Sequence, residues 1–414
     1  MGRLSLLAAA LLLSACSSSN GDDAAASAGG AAGGGGSAGS GGSAGAPGGG
    51  GSAGIGGSAG VSTGGTAGST GGAAGSGGWA GGTPGSVIQD DPTAARTWPA
   101  SHGEALISLW SDDAIGTLSI TIDDNTQPDH AWWQAQGKAY GLRFTWFVIT
   151  DKVVGNYGGT WPGFAALVAD GHDVQSHTVS HLSGSYTIDE EYKLSQQAIE
   201  KNLPNVRALT LAYPGGTHPI QNDPKLAASY YIGARGTTGQ NNKIGSTNYM
   251  MVNSISGQLN LATDHWAGLP NVVIKNPAQA KSFRAWHCIH YHLLTDAAKS
   301  EAITGFKWIV AHQPDLWVGL FREVVQYGRE RESATLTVPS VTSDQIVVDV
   351  TDTLDDGLFD FPLTVKVGLD TSWSSATATQ NGKPVTVQIV QHAGKPFALV
   401  SAVPDRGPVI LTRN

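Results

Sequence analysis

Two short stretches carry the residue types that hold a metal ion and move protons. ThrIleAspAsp at 121–124 supplies two adjacent carboxylates, and HisThrValSerHis at 177–181 supplies two imidazoles four positions apart. On a helical turn, side chains at i and i+4 share a face, so His177 and His181 are expected to aim at one point. One carboxylate oxygen and two imidazole nitrogens make a three-ligand set for a divalent cation and leave a coordination position open for a reacting molecule. The other carboxylate can then accept a proton. Each half is ordinary alone, since an Asp-Asp pair is commonly an exposed turn and a His pair at this spacing commonly a satisfied surface pair. Specificity comes from their conjunction with an apolar run before the acids and GlyHisAspValGlnSer before the histidines.

The elements that must position these groups are legible as alternating strands and helices. Thr117 to Asp123 opens with an apolar, β-branched run, a buried strand that delivers the acids at its C-terminal end, where α/β folds build their sites. Helices are expected over Pro128 to Tyr140, Trp161 to Asp170, Pro224 to Ser229, Lys299 to His312 and Gly319 to Glu332. Thr187 and Glu190 offer a capping box for one more, running to about Asn202. Further strands are expected over Arg143 to Ile149, His172 to Ser176, Arg207 to Tyr213, Tyr230 to Arg235, Tyr249 to Ser254 and Ala285 to His292. Alternation of this length reads as a parallel α/β barrel.

Over roughly residues 115 to 330 the motifs resemble those of the polysaccharide deacetylases, the NodB-homology or carbohydrate esterase family 4 group. The first acidic motif of that family ends in Asp-Asp-Gly and stands here as ThrIleAspAspAsn; the His-Ser/Thr-x-x-His motif is met by His177, Thr178 and His181. The resemblance implies a distorted (β/α) barrel of about seven strands. It implies Asp123 as catalytic base, Asp124, His177 and His181 as metal ligands, His292 as the acid of the last motif, and the backbone N–H of Tyr213 as an oxyanion donor. Pro214, Gly215 and His218, in and just after the third motif, are expected to face substrate. The sequence departs from the family at LeuAlaTyrProGlyGly (211–216), where Ala212 stands in place of an Arg that normally pairs with the base, and at His290, which replaces a leucine. Arg235 is the nearest basic replacement by chain position, with Arg143 next. Zinc is the default ion for N and O ligands, and cobalt or nickel would fit the same set. The implied function is a metal-dependent hydrolase that removes acetyl groups, as amides or esters, from a polysaccharide or oligosaccharide. The alternative is a catalytically inactive glycan-binding surface lipoprotein on a deacetylase fold.

The flanks point to the cell envelope. Residues 1–15 hold one basic residue and a short apolar run, as a signal peptide does, and LeuSerAlaCys at 13–16 resembles a bacterial lipoprotein cleavage box, which implies acyl chains on Cys16. Ser17 at the following position resembles lipoproteins sorted to the outer membrane. Residues 16–86 are a Gly/Ala/Ser tether with no charged side chain between Asp23 and Asp90. The barrel is then expected over 87–333, and a small antiparallel, sandwich-like β domain over 334–414, with AsnGly at 381–382 as a hairpin signal. In that β domain Trp373, Phe359 and Phe361 are the candidate sugar platforms, with packing the favoured role. The net charge of −9 and the lack of a Lys/Arg cluster argue against nucleic acid as a partner. With Cys16 assigned to lipid, the other of the two cysteines, Cys288, has no disulfide partner.

Overall fold

A computed structural model of the 414-residue chain describes residues 90–91, 96–216, 222–257, 284–313 and 315–414. The expected signal peptide, Cys16, the expected tether and His218 lie outside the described residues. Among the described residues no helix is long and apolar enough to cross a membrane.

The barrel sheet is built from β2 (Gly116–Ile122), β3 (Thr145–Val148), β4 (Asp173–Ser176), β5 (Thr210–Ala212), β6 (Gly233–Arg235), β7 (Ile255–Ser256) and β8 (Trp286–Tyr291). These seven strands run in the order β6-β5-β4-β3-β2-β8-β7, all parallel. A parallel bridge between Arg235 and Val252 carries the sheet from β6 toward β7, so it curls toward closure. Its distortion has a local cause. β9 (Leu316–Val318) pairs with the first half of β2, at Gly116 to Leu118, while β3 pairs only with Thr121 and Ile122. One edge of β2 therefore serves two neighbours in succession.

β2 is buried along its whole length. Leu118, Ile120 and Ile122 join a core with Trp133, Phe144, Trp146 and Phe306 under the helices. The alternate residues are hydroxylic, and each meets a neighbouring strand segment's carbonyl: Thr117 Oγ1 donates to Trp317 O, Ser119 Oγ to Gly319 O and Thr121 Oγ1 to Ile289 O, at 2.9 to 3.0 Å. Those bonds make polar residues tolerable inside the barrel. Among the described residues the helices are α1 (His130–Tyr140), α2 (Trp161–Ala169), α3 (Ile188–Asn202), α4 (Pro224–Ala227), α5 (Asp296–Ala311) and α6 (Phe321–Ser333). The capping box forms at the start of α3 in both directions, between Thr187 and Glu190.

The second part is a two-sheet antiparallel sandwich. One sheet orders β10 (Thr335–Val341), β11 (Gln345–Thr351), β17 (Val409–Arg413), β13 (Ala376–Gln380) and β14 (Lys383–Pro384). The other orders β1 (Ala105–Ile107), β12 (Leu363–Gly368), β16 (Lys395–Ala402) and β15 (Val387–His392). Asn381 and Gly382 both take positive φ between β13 and β14, as a two-residue hairpin turn requires. β1 precedes the barrel in sequence yet pairs with β12, Ala105 opposite Val367. The boundary expected near residue 333 therefore assigns this strand to the wrong part. The two parts also share one core, in which Trp110, Phe147, Trp286 and Phe321 from the barrel join Ile346, Val365 and Val400 from the sandwich. Trp373 and Phe359 are 1% and 7% exposed, so they pack rather than present rings to a ligand.

Two expectations about local structure fail. Tyr249 to Ser254 is not a strand: Tyr249–Met251 form a 3-10 turn and the strand follows at Ile255. The segment from His177 to His181 is not a helical turn, because Thr178 and His181 adopt positive φ.

Candidate metal centre and active site

The acids leave β2 through a strained corner. Asp124, Asn125 and Thr126 have φ of 59°, 64° and 40°, three successive residues in the left-handed region. Asp and Asn tolerate that region better than most side chains, which explains how Asn125 replaces the family's glycine. Asn125 also holds the corner in place, accepting from Ile149 N at 2.7 Å and donating to Gly158 O at 2.9 Å. Strain of this kind persists only where surrounding contacts over-determine it, and it concentrates at functional sites.

Across the same end of the sheet, the loop after β4 brings the two histidines to Asp124. His177 Nε2 lies 3.5 Å and His181 Nε2 3.7 Å from Asp124 Oδ1. Tetrahedral ligands on bonds of about 2.0 to 2.1 Å sit roughly 3.3 to 3.4 Å apart, so a small contraction would place all three on one ion. All three donor atoms lie within 4.8 Å of one another. Asp124 Oδ1 is buried with no hydrogen-bond partner, an expensive state for a carboxylate unless a cation completes it. His177 Nδ1 donates to Ala212 O at 2.8 Å, which fixes the tautomer and leaves the Nε2 lone pair facing Asp124. Burial holds the His177 pKa down, to about 4, so the ring is neutral and able to ligate near pH 7. The donor set fits a divalent cation.

The histidine loop is shaped by a residue the sequence did not single out. Glu191, on α3 and 1% exposed, accepts from Val179 N at 2.7 Å, from Ser180 N at 2.9 Å and from Ser180 Oγ. One carboxylate thus satisfies the N–H groups that the non-helical loop leaves without helix partners. Its only sequence signal is membership of the acidic first turn of α3.

Asp123 sits beside the ligand set, 3% exposed, and its carboxylate pairs with Arg235 at the end of β6. Arg235 is the register partner of Ala212 on adjacent β5. The cation missing from one strand is therefore supplied from the neighbouring strand at the same level. Burial works to raise the Asp123 pKa, but Arg235, then His177, His292 and His290, outweigh it and hold the carboxyl well below the usual range. Arg143 is elsewhere, paired with Glu323.

His292 and His290 part company. His292 keeps 39% of its side chain exposed, with Nε2 3.8 Å from Asp123 Oδ2 and 3.9 Å from Asp124 Oδ2. His290 is 6% exposed, its Nδ1 bonded at 2.8 Å to Ser254 Oγ, and burial drives its pKa to about 3. Tyr213, expected to offer its backbone N–H to an oxyanion, donates that N–H to Arg235 O at 3.0 Å and its hydroxyl to Met250 O at 3.0 Å. Extension of the β5–β6 pairing by one residue engages the donor that an oxyanion would need. Pro214 is buried, with its carbonyl accepting from Asn222 at 3.3 Å, and Gly215 is exposed at φ 65°.

Residues 112–234 match the family model described as polysaccharide deacetylase. The chain resembles that family over this stretch. It is also similar, at 36% identity over 338 residues, to a Bacillus protein named gellan lyase; the match covers 75% of this chain and 13% of that protein. Among solved structures it is similar to a Streptococcus pyogenes deacetylase in complex with acetate, at 24% identity and TM-score 0.29, covering 33% of this chain and 62% of that one. A family 4 carbohydrate esterase from Streptomyces lividans, also with acetate, is similar at 17% identity and TM-score 0.32, covering 51% of this chain and 95% of that one.

Proposed function

We propose that the protein is a metal-dependent hydrolase that removes acetyl groups from an acetylated polysaccharide or oligosaccharide, held at the cell envelope by acyl chains on Cys16. The observation that carries the chemistry is the convergence of Asp124, His177 and His181 beside an Arg-paired Asp123 and a half-exposed His292. A divalent cation held by the triad, with zinc, cobalt or nickel all suited to its donors, would polarise a carbonyl and acidify a water. Asp123, kept ionised by Arg235, takes the proton from the attacking water. His292 faces both aspartates from the open side and delivers a proton to the departing amine or alcohol. The buried His290 positions through Ser254 rather than exchanging protons with substrate. Because the chain spans 13% of the gellan lyase relative, that protein's lyase activity is not carried over.

The deciding assay is acetate release from acetylated chito-oligosaccharides, acetylxylan and peptidoglycan, with and without chelator. Metal-dependent acetate from one of these supports the reading. A second reading, glycan binding without turnover, is favoured by the engaged Tyr213 N–H; tight glycan binding with no acetate from any substrate would establish it instead. For the anchor, Cys16→Ser should release the protein from membranes, and unchanged membrane association would refute lipidation.

A further inference from the structure

The chain leaves the metal corner through a 3-10 turn, Gln127–Asp129, and enters α1. Asp129 stands at the N-cap of α1, where an aspartate ordinarily accepts from the N–H groups of the first helical turn. Its side chain makes no such bond. Being 1% exposed, the carboxylate needs partners inside the protein, and it finds them beyond β8. Oδ2 accepts from Leu294 N at 2.7 Å, and Oδ1 pairs with Lys299 Nζ of α5 at 2.8 Å. Asp129 N donates to Thr126 O at 3.0 Å, which closes the turn onto the left-handed corner.

These bonds bracket His292. On one side Tyr291 O accepts from Asp123 N at 2.8 Å; on the other, Leu294 N is held by Asp129. β8 ends at Tyr291, so the tie to Asp129 takes over where strand pairing stops. One short segment, 123–129, therefore carries the base, a metal ligand and both ties to the loop of the acid. A half-exposed ring such as that of His292 is held less by packing than a core ring, so the place of its backbone decides what Nε2 can reach.

We propose that Asp129 is a positioning residue for His292, holding the loop between β8 and α5 so that the imidazole keeps a fixed distance from the base, the metal ligands and the departing atom. This rests on the deacetylase reading, in which the C–N or C–O bond to the acetyl group breaks as His292 passes a proton to the departing nitrogen or oxygen. A sugar amine or alkoxide needs that proton, whereas para-nitrophenolate leaves without one. The test follows acetate release by the zinc-loaded full chain from acetylated chito-oligosaccharides, acetylxylan and para-nitrophenyl acetate. Asp129→Ala should lower kcat on the acetylated sugar roughly 10- to 100-fold with KM and zinc content retained, the scale of a small misplacement of a reacting group, while turnover of para-nitrophenyl acetate falls by about threefold or less. Asp129→Asn keeps an oxygen for the Leu294 N–H and should recover most of the sugar kcat. Lys299→Met leaves Asp129 in place but removes the cation that orients it; it should shift the sugar-to-aryl ratio the same way by a smaller factor, and it carries the test should Asp129→Ala not fold. Equal losses on sugar and aryl acetate, loss of zinc together with activity, an asparagine variant no better than alanine, or an unchanged ratio in Lys299→Met would overturn the role. A wild type that releases acetate from no acetylated sugar overturns the deacetylase reading itself, and the role with it; an active wild type with any of the former results overturns the role alone.

Discussion

Replacing Arg235 by methionine removes the guanidinium paired with the Asp123 carboxylate and keeps a side chain of similar length. The arginine side chain is 0% exposed and that of Asp123 is 4% exposed, so water cannot take over the lost interaction. The buried imidazoles cannot either, since burial holds His177 and His290 at about 4 and about 3, neutral near pH 7. Breaking a buried pair on one side costs about 3 to 5 kcal/mol, against about 1 kcal/mol or less for an exposed pair. Arg235→Met should therefore lower unfolding stability by that larger amount in denaturant titrations and sharply reduce acetate release. Asp123→Asn added to Arg235→Met should recover much of the stability and none of the turnover. Because Ala212 and Arg235 are register partners on β5 and β6, the swap Ala212→Arg with Arg235→Ala should restore a paired carboxylate and part of the activity. A loss below about 1 kcal/mol in Arg235→Met, with turnover intact, would refute the charge-relocation reasoning.

Three further outcomes follow from the same geometry. Glu191→Ala leaves Val179 and Ser180 N–H groups buried without their acceptor, so metal affinity measured by competition with a chelating dye should fall about 10- to 100-fold, and an unchanged affinity would remove its positioning role. Glu330 on α6 is fully buried, and burial followed by Asp352 and Asp360 lifts its pKa from the ordinary 4.5 to about 9. Its folded form retains a proton that the unfolded chain releases, so stability should be greatest below pH 4.5 for this group and decline as pH rises toward 9; Glu330→Gln should flatten that decline in thermal melts, and parallel profiles would contradict it. His292→Ala should lower kcat about 10²- to 10⁴-fold with metal content retained, whereas His290→Ala should act mainly on stability; the reverse pattern in steady-state kinetics would exchange their roles.

What the sequence made legible was local. The β-branched run of β2, the capping box of α3 and the AsnGly turn each encode their structure within a few residues, and all three stand in the fold. Helical spacing was the wrong reason for a right convergence: His177 and His181 meet because Glu191 pins a loop with positive φ at Thr178 and His181, not because they share a helical face. Non-local pairings were illegible, as with β1, whose partner β12 lies more than 250 residues later. β10 tolerates Pro339 because it is an edge strand whose register shifts between Thr337 and Ser340. Tyr213 illustrates the limit of motif transfer, since whether its N–H is available depends on how far β5 and β6 stay paired.

The central claim is that Asp124, His177 and His181 bind one catalytic cation. A crystal structure of zinc-loaded protein, with anomalous scattering at the zinc edge and acetate release followed in parallel, tests it most directly. The expected result is one ion per chain, about 2.0 to 2.2 Å from an Asp124 oxygen and the Nε2 atoms of His177 and His181, with activity lost to chelator and restored by the metal. An ion bound elsewhere, no stoichiometric ion, or acetate release indifferent to chelation would contradict the claim.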